Sequence, residues 1–272
     1  MNRIIIRLPL LVTCVAALLL AIHGPIAQLP HYHAFADQRA FFGIPHAADF
    51  LSNAGFAVAG IWGLISLWPF RKHPALVRGW SGYCLFIVSL MLTAAGSSFY
   101  HLAPDNARLV WDRLPIALAC AGLIAATRSE LRADGNGRYE VVLLALFAVI
   151  SVAWWYATDL LGHGDLRPYL FLQGMPLLLI PLWQTIFRAP RRERIAFGLA
   201  IFFYVMAKVA EQYDHELFTM LGWISGHTIK HLLATGGAAI LTNTLIERVC
   251  NVSSVNQQTR KSFDNNMRKL PC

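Results

Sequence analysis

The feature that most constrains this chain is a succession of eight apolar runs, at residues 4–22, 50–70, 80–100, 109–127, 141–157, 169–187, 196–210 and 221–246. Most approach or exceed the length of about 20 residues that a helix needs to cross hydrocarbon. A backbone there must satisfy its own N–H and C=O groups, and a helix does so within one segment. The runs therefore predict an all-α integral membrane protein with a seven-transmembrane-helix core and one N-terminal membrane helix. Residues 1–24 form the leading helix, or an uncleaved signal anchor. Residues 25–49 are an extracytoplasmic segment, 50–247 the core, and 248–272 a polar tail, rich in Asn, Gln and Ser, expected to be disordered. A cleaved signal peptide is the rival reading of the first run. That run is long for one and ends without a clear small-x-small cleavage site.

Composition agrees. Hydrophobic residues make up 56% and charged residues 14%, against a charged share of about 25% in soluble chains. The formal charge of +8 does not point to nucleic acid, because the cations sit in alternate short connections. Arg71, Lys72, Arg78, Arg132, Arg138, Arg188, Arg191, Arg192 and Arg194 occupy the even loops, and Arg248, Arg260, Lys261, Arg268 and Lys269 the tail. The odd loops carry only Arg39, Arg108 and Arg167. By the positive-inside rule both termini are cytoplasmic. Cys14, Cys84, Cys120, Cys250 and Cys272 form no Cys-x-x-Cys pattern, so neither disulfides nor a thiolate metal site is indicated.

Ionisable groups inside apolar runs mark candidate functional positions. His227 and His231 are i,i+4 in the last run and project from one helix face. Ser97 and His101 share a face near the outer end of their run, and Asp112 enters in the first turn of the next. With the last helix starting outside, His227 lies about eight residues in, or roughly 12 Å. Five polar groups from three helices thus share the extracytoplasmic half of the bilayer. Three imidazoles with a fourth position open suit catalytic zinc, whose bound water is acidified to near neutrality. Asp112 would take the proton or orient the water, and Ser97 would donate to a developing oxyanion. Two alternatives stand beside this: a structural polar cluster joining three helices, and a haem site, which would more often use histidines on facing helices.

At these residues the chain resembles the alkaline ceramidases, a family within a superfamily of seven-helix membrane hydrolases that also includes adiponectin-type receptors. Ser97-x-x-x-His101, Asp112 and His227-x-x-x-His231 carry the resemblance, which covers residues 37–246. It implies zinc on His101, His227 and His231, with Ser97 and Asp112 assisting hydrolysis of the amide of a ceramide or similar N-acyl lipid. The family also has an acidic, calcium-type stretch before its first core helix. Here only Asp37 and Asp49-x-x-Ser52-Asn53 keep anything of it, nearer to bacterial members, and calcium is not expected. A seven-helix lipid receptor and an ester-cleaving, phospholipase-type enzyme are the alternatives.

Four smaller expectations follow. Lys230 should pair with Glu211 or Asp214 and so neutralise buried charge. Lys208, Glu211 and Asp214, at i, i+3 and i+6, share that neighbourhood. Residues 164–168 form a turn or a cap over the site. His31, His33, His163 and His215 are ordinary surface histidines.

Overall fold

The computed structural model describes the backbone of residues 3–131 and 137–267, with side chains from 5 to 131 and from 137 to 250. Arg132, Arg268, Lys269 and Cys272 lie outside the described residues, as do the side chains of Arg260 and Lys261. Among the described residues all regular secondary structure is helical, apart from one bridge between Phe41 and Ile44. Its helices are α1 (Arg3–His23), α2 (Ala47–Ser52), α3 (Ala54–Leu67), α4 (Trp80–Leu102), α5 (Asn106–Leu131), α6 (Arg138–Leu160), α7 (Arg167–Ile186), α8 (Arg191–Gln212), α9 (Asp214–Leu221) and α10 (Gly226–Met267). A 3-10 turn, Trp68–Phe70, prolongs α3.

Among the described residues, seven stretches are long and apolar enough to cross a membrane: α1, the α2–α3 stretch Ala47–Phe70, and α4 to α8. α10 has the length, but its first two turns spend three positions on His227, Lys230 and His231. Large apolar side chains point outward in continuous bands, such as Val58, Ile61 and Ile65 on α3 and Val142, Leu143 and Leu146 on α6. Contiguous apolar surface on that scale is rare on a water-facing protein.

The helices α3, α4, α5, α7, α8 and α10 pack in that order, and α10 closes back onto α3. α6 lies outside this ring against α5 and α7, and α1 packs against α7. One apolar cluster centres on Trp155, Tyr169 and Leu172, and a second on Phe56, Leu67 and Phe86. Between them runs a cavity of about 220 Å³, lined from all six helices of the ring.

Three boundaries differ from the sequence-based expectation, each for a local reason. The last apolar run is broken: α9 ends at Gly222, whose φ of 75° is open to glycine and strained for other residues. Ser225 then caps a new helix, its Oγ accepting from the N–H of Thr228 at 2.9 Å. His227 therefore stands in the first turn of α10, not eight residues into a span. Similarly, Asp105 caps α5 by accepting from the Arg108 N–H at 2.7 Å, so α5 starts early and Asp112 falls in its second turn. Past Asn251, where disorder was expected, the backbone remains helical to Met267.

Charge separates between the two ends of the bundle. At the end where α4 finishes and α10 begins, three arginines in or beside the connections each have an aspartate two or three positions away: Arg39 with Asp37, Arg108 with Asp105, Arg167 with Asp165. At the opposite end Arg71, Arg78, Arg188 and Arg191 have no ion pair among the described residues. The positive excess therefore lies at that end.

The α4–α5 pair is set by contact between backbones. A Cβ on Gly96 would collide with the carbonyl oxygen of Trp111. Only glycine allows this approach, and it brings Ser97 beside Asp112, the next residues on each helix. Gly198, on α8, leaves room for a methyl group, with nothing within 4 Å of where its Cβ would stand. Gly96→Ala should cost about 1–3 kcal/mol and lower the melting temperature in detergent, whereas Gly198→Ala should be neutral or gain about 0.5–1 kcal/mol. Equal melting temperatures for the two variants would contradict the close packing.

Candidate metal centre

His101 comes from the last turn of α4, and His227 and His231 from the first two turns of α10. All three are buried, and one ring nitrogen from each lies within 4.8 Å of the others. The imidazoles stand edge to face, with centroids 4.8 to 5.2 Å apart. A core histidine normally finds a hydrogen-bond partner for its ring nitrogens. His101 does not: its Nδ1 and Nε2 are both buried and have no partner among the described residues. Three converging nitrogen donors, one ring wholly unsatisfied, fit a metal ion and make a poor structural polar cluster.

His231 is oriented by its other nitrogen. The Ser52 hydroxyl donates to the Asp49 carbonyl at 2.8 Å, so its oxygen is left to accept from His231 Nδ1, also at 2.8 Å. The same Nδ1 lies 3.1 Å from the Asp49 carbonyl. This fixes the proton on Nδ1 and leaves Nε2 with a lone pair toward the cluster, the usual arrangement of a metal-ligating imidazole. The sequence connects Asp49, Ser52 and Asn53 with a calcium stretch; in the fold, Asp49 and Ser52 serve α10. The Asp49 carboxylate accepts from Thr228 Oγ1 at 2.5 Å and from Ser225 Oγ at 3.1 Å. Asp37 is engaged by Arg39 through both carboxylate oxygens, at 2.8 and 2.7 Å. That guanidinium holds the Asp37 carboxyl below the usual carboxylate range, so the clamp is complete above about pH 4 and is lost only as pH falls through the lowered value.

His227 is placed by a second carboxylate. Asp214 accepts from the backbone N–H of His227 at 2.7 Å and from that of Ala36 at 2.9 Å. Gly226 makes this possible, since a Cβ there would run into the Ala210 carbonyl oxygen. Lys230 pairs with Glu211 at 2.6 Å, as expected, and Glu211 also takes Lys208 at 2.8 Å. The Lys230 ammonium lies 3.4 Å from His227 Nε2, so Glu211 offsets a positive charge at the edge of the cluster.

Ser97 and Asp112 are buried and line the same cavity as His231. The Asp112 carboxylate is close enough to the Ser97 hydroxyl to interact with it. All five candidate residues therefore meet at one end of the bundle, the histidines at the rim and Ser97 and Asp112 beside the apolar cavity.

Some participants gave less signal in the sequence. Phe35, from the segment between α1 and α2, is buried with its ring 4.8 Å from His101 and 4.5 Å from His227, and roofs the cluster. Nothing around it in the chain announces that role. His33, expected as an ordinary surface residue, is half-buried and bonds the Tyr100 hydroxyl and the Asn106 side chain, both at 2.8 Å. His31, His163 and His215 are exposed. Asp165, in the 164–168 turn, is buried against Arg167, Trp154 and the Ile26 N–H, and so ties that turn to the segment after α1.

No family model matches the chain, and neither the curated proteins nor the solved structures contain a match to it.

The purified protein should carry one metal per chain, lost in His101→Ala and in His231→Ala when measured by elemental analysis. Ser52→Ala should retain metal but bind it about 10-fold more weakly in competition with a chelating dye. Unchanged affinity would mean that Ser52 does not hold the ring.

Proposed function

We propose that the chain is a membrane-embedded, zinc-dependent hydrolase that cleaves the amide bond of a ceramide or similar N-acyl lipid and releases a fatty acid. The observation that carries this reading is a three-histidine cluster, with the His101 nitrogens unpartnered among the described residues, whose His231 lines a largely apolar cavity with Ser97, Asp112 and a few cations among its polar groups. A structural cluster would need no cavity, and a soluble substrate would gain nothing from an apolar one.

Zinc on His101, His227 and His231 would acidify a water and polarise the scissile carbonyl. The chain's own residues supply the rest. Asp112 accepts the proton that the attacking water loses and passes it to the departing amine nitrogen. Ser97 donates its hydroxyl to the carbonyl oxygen as that atom gains charge. Phe35 covers the histidines and keeps bulk water from them, which strengthens each of these interactions. Phe56, Phe86, Leu90 and Leu241 line the cavity and accept the acyl chain.

In the membrane, the seven-helix core begins with the α2–α3 stretch and ends with α10, and α1 is an additional span. The end rich in unpaired arginines faces the cytoplasm, with both termini. The histidine end then faces outward, at the depth where headgroup and acyl chain join.

Three measurements test the proposal. Fatty-acid release should be seen from an N-acyl lipid and not from its O-acyl counterpart of equal chain length; release from the ester alone would make the protein a phospholipase-type enzyme. Asp112→Asn should keep its zinc and lose about 10²–10⁴-fold in kcat, whereas zinc-replete protein without turnover on any acyl lipid would favour a receptor. Cysteines introduced at His163 and Arg192 should label from the outside and the cytoplasm respectively, and the reverse pattern would invert the orientation.

A further inference from the structure

Arg113 is the residue that the histidine site leaves without a purpose. It follows Asp112 on α5, is buried to 4% exposure, and lines the central cavity. Its guanidinium is stacked 3.9 Å from the Trp155 ring centroid, with Tyr32 at 5.1 Å and Tyr169 at 5.6 Å. No carboxylate lies within ion-pairing distance of it among the described residues, and its NH1 group is buried without a hydrogen-bond partner. Aromatic faces stabilise a desolvated guanidinium, but by less than burying an unpaired ion costs. The orphan donor and the deficit both call for an anion from outside the chain.

The same cavity has further positive excess. Lys208 and Lys230, both on its lining, share the one carboxylate of Glu211. Asp112 is the opposing charge on the lining, and it is not paired with Arg113. With neutral histidines, three cations face the two carboxylates Asp112 and Glu211 before any metal charge is added.

We propose that Arg113 anchors the anionic group of the amphiphile that occupies this cavity: the ligand is an acyl lipid bearing a carboxylate or phosphate in its polar part. The planar guanidinium suits either oxyanion, taking two oxygens through parallel N–H donors. The aromatic rings around it fix its plane, and the acyl chain lies along the apolar lining. This rests on the acyl-lipid reading of the cavity and narrows it, within the N-acyl lipids proposed above, to acidic amphiphiles such as N-acyl amino acids or N-acyl lipid phosphates, in preference to neutral amides such as an unmodified ceramide.

The test compares three probes of equal chain length with the full-length protein in detergent: N-oleoylglycine, N-oleoyl-phosphoethanolamine and the neutral N-oleoylethanolamine. Displacement of a fluorescent fatty-acyl probe gives affinity, and fatty-acid release is followed separately. The wild-type protein should bind at least one anionic probe about 10-fold more tightly than the neutral one. The tighter of the two anionic probes identifies the source as carboxylate or phosphate. Arg113→Gln should bring all three to within about two-fold of each other, and Arg113→Lys should restore part of the preference. Equal wild-type affinity for the neutral probe would overturn the proposal, as would an Arg113→Gln protein that weakens all three alike. Should that variant not fold, the wild-type preference decides alone. Hydrolysis of the neutral amide without any preference removes the anion site and leaves the hydrolase; a preference without hydrolysis of any probe does the reverse.

Discussion

The arrangement depends on how the first turn of α10 is held. A helix N-terminus presents unsatisfied N–H groups and a partial positive charge, and here two buried carboxylates meet it. Asp214 takes the His227 N–H, and Asp49 takes the hydroxyls of Ser225 and Thr228. Both aspartates come from short elements, α9 and α2, that lie next to long helices. Each therefore locks the start of α10 to a neighbour: Asp214 to the end of α8, Asp49 to the beginning of α3. Because His227 and His231 lie on those two turns, the positions of two of the three nitrogen donors follow from these contacts.

The third donor is set independently. His101 lies at the end of α4, whose distance from α5 is limited by the Gly96–Trp111 backbone contact. The histidine cluster thus joins two helix units, α4–α5 and α8–α10, which otherwise face each other across the cavity. A bound ion would cross-link them and stabilise the fold as well as the chemistry. The connection between α1 and α2 adds Phe35 from above and is itself tied down by Asp214 through Ala36 and by Arg39, clamped to Asp37, which donates to the Trp223 carbonyl. Asp214 therefore couples the roof to the ligand helix.

Charge and apolarity are distributed along one axis. The outward faces are apolar, the far end carries arginines without ion pairs among the described residues, and at the near end Arg39, Arg108 and Arg167 are neutralised by local aspartates. Inside, polar groups cluster at the histidine end, and the apolar walls run away from it. This gradient is what supports the proposed amphiphilic ligand, its polar part toward the histidines and its chain inward. Arg113, stacked among rings and without an ion pair among the described residues, is the cation on which the proposed preference for an anionic polar part rests.

Much of this was legible in the chain. Apolar runs give helices because hydrocarbon permits little else, and the i,i+4 spacing of His227 and His231 places them on one face whatever surrounds them. The coincidence of Ser97, His101 and Asp112 at one depth also follows, because short connections between long helices force successive ends together. Boundaries set by a single cap did not emerge: hydropathy continues smoothly through residues 221–226, while Gly222 and Ser225 end one helix and start another. The partners of Asp49, Ser52, Asp214 and Phe35 could not be read either, because the contacts that matter join each to a residue distant in the chain or across a helix break. Arg113 carried a signal, a cation within an apolar run, but its meaning needed the rings of Trp155, Tyr169 and Tyr32 and the lack of an acid paired with it among the described residues. The sequence by itself determined the helices and which residues could be ligands, since both are properties of local periodicity. Only the tertiary structure decided which nitrogens converge, which are left without partners and which charge faces the cavity, because those depend on contacts between helices that local pattern does not encode.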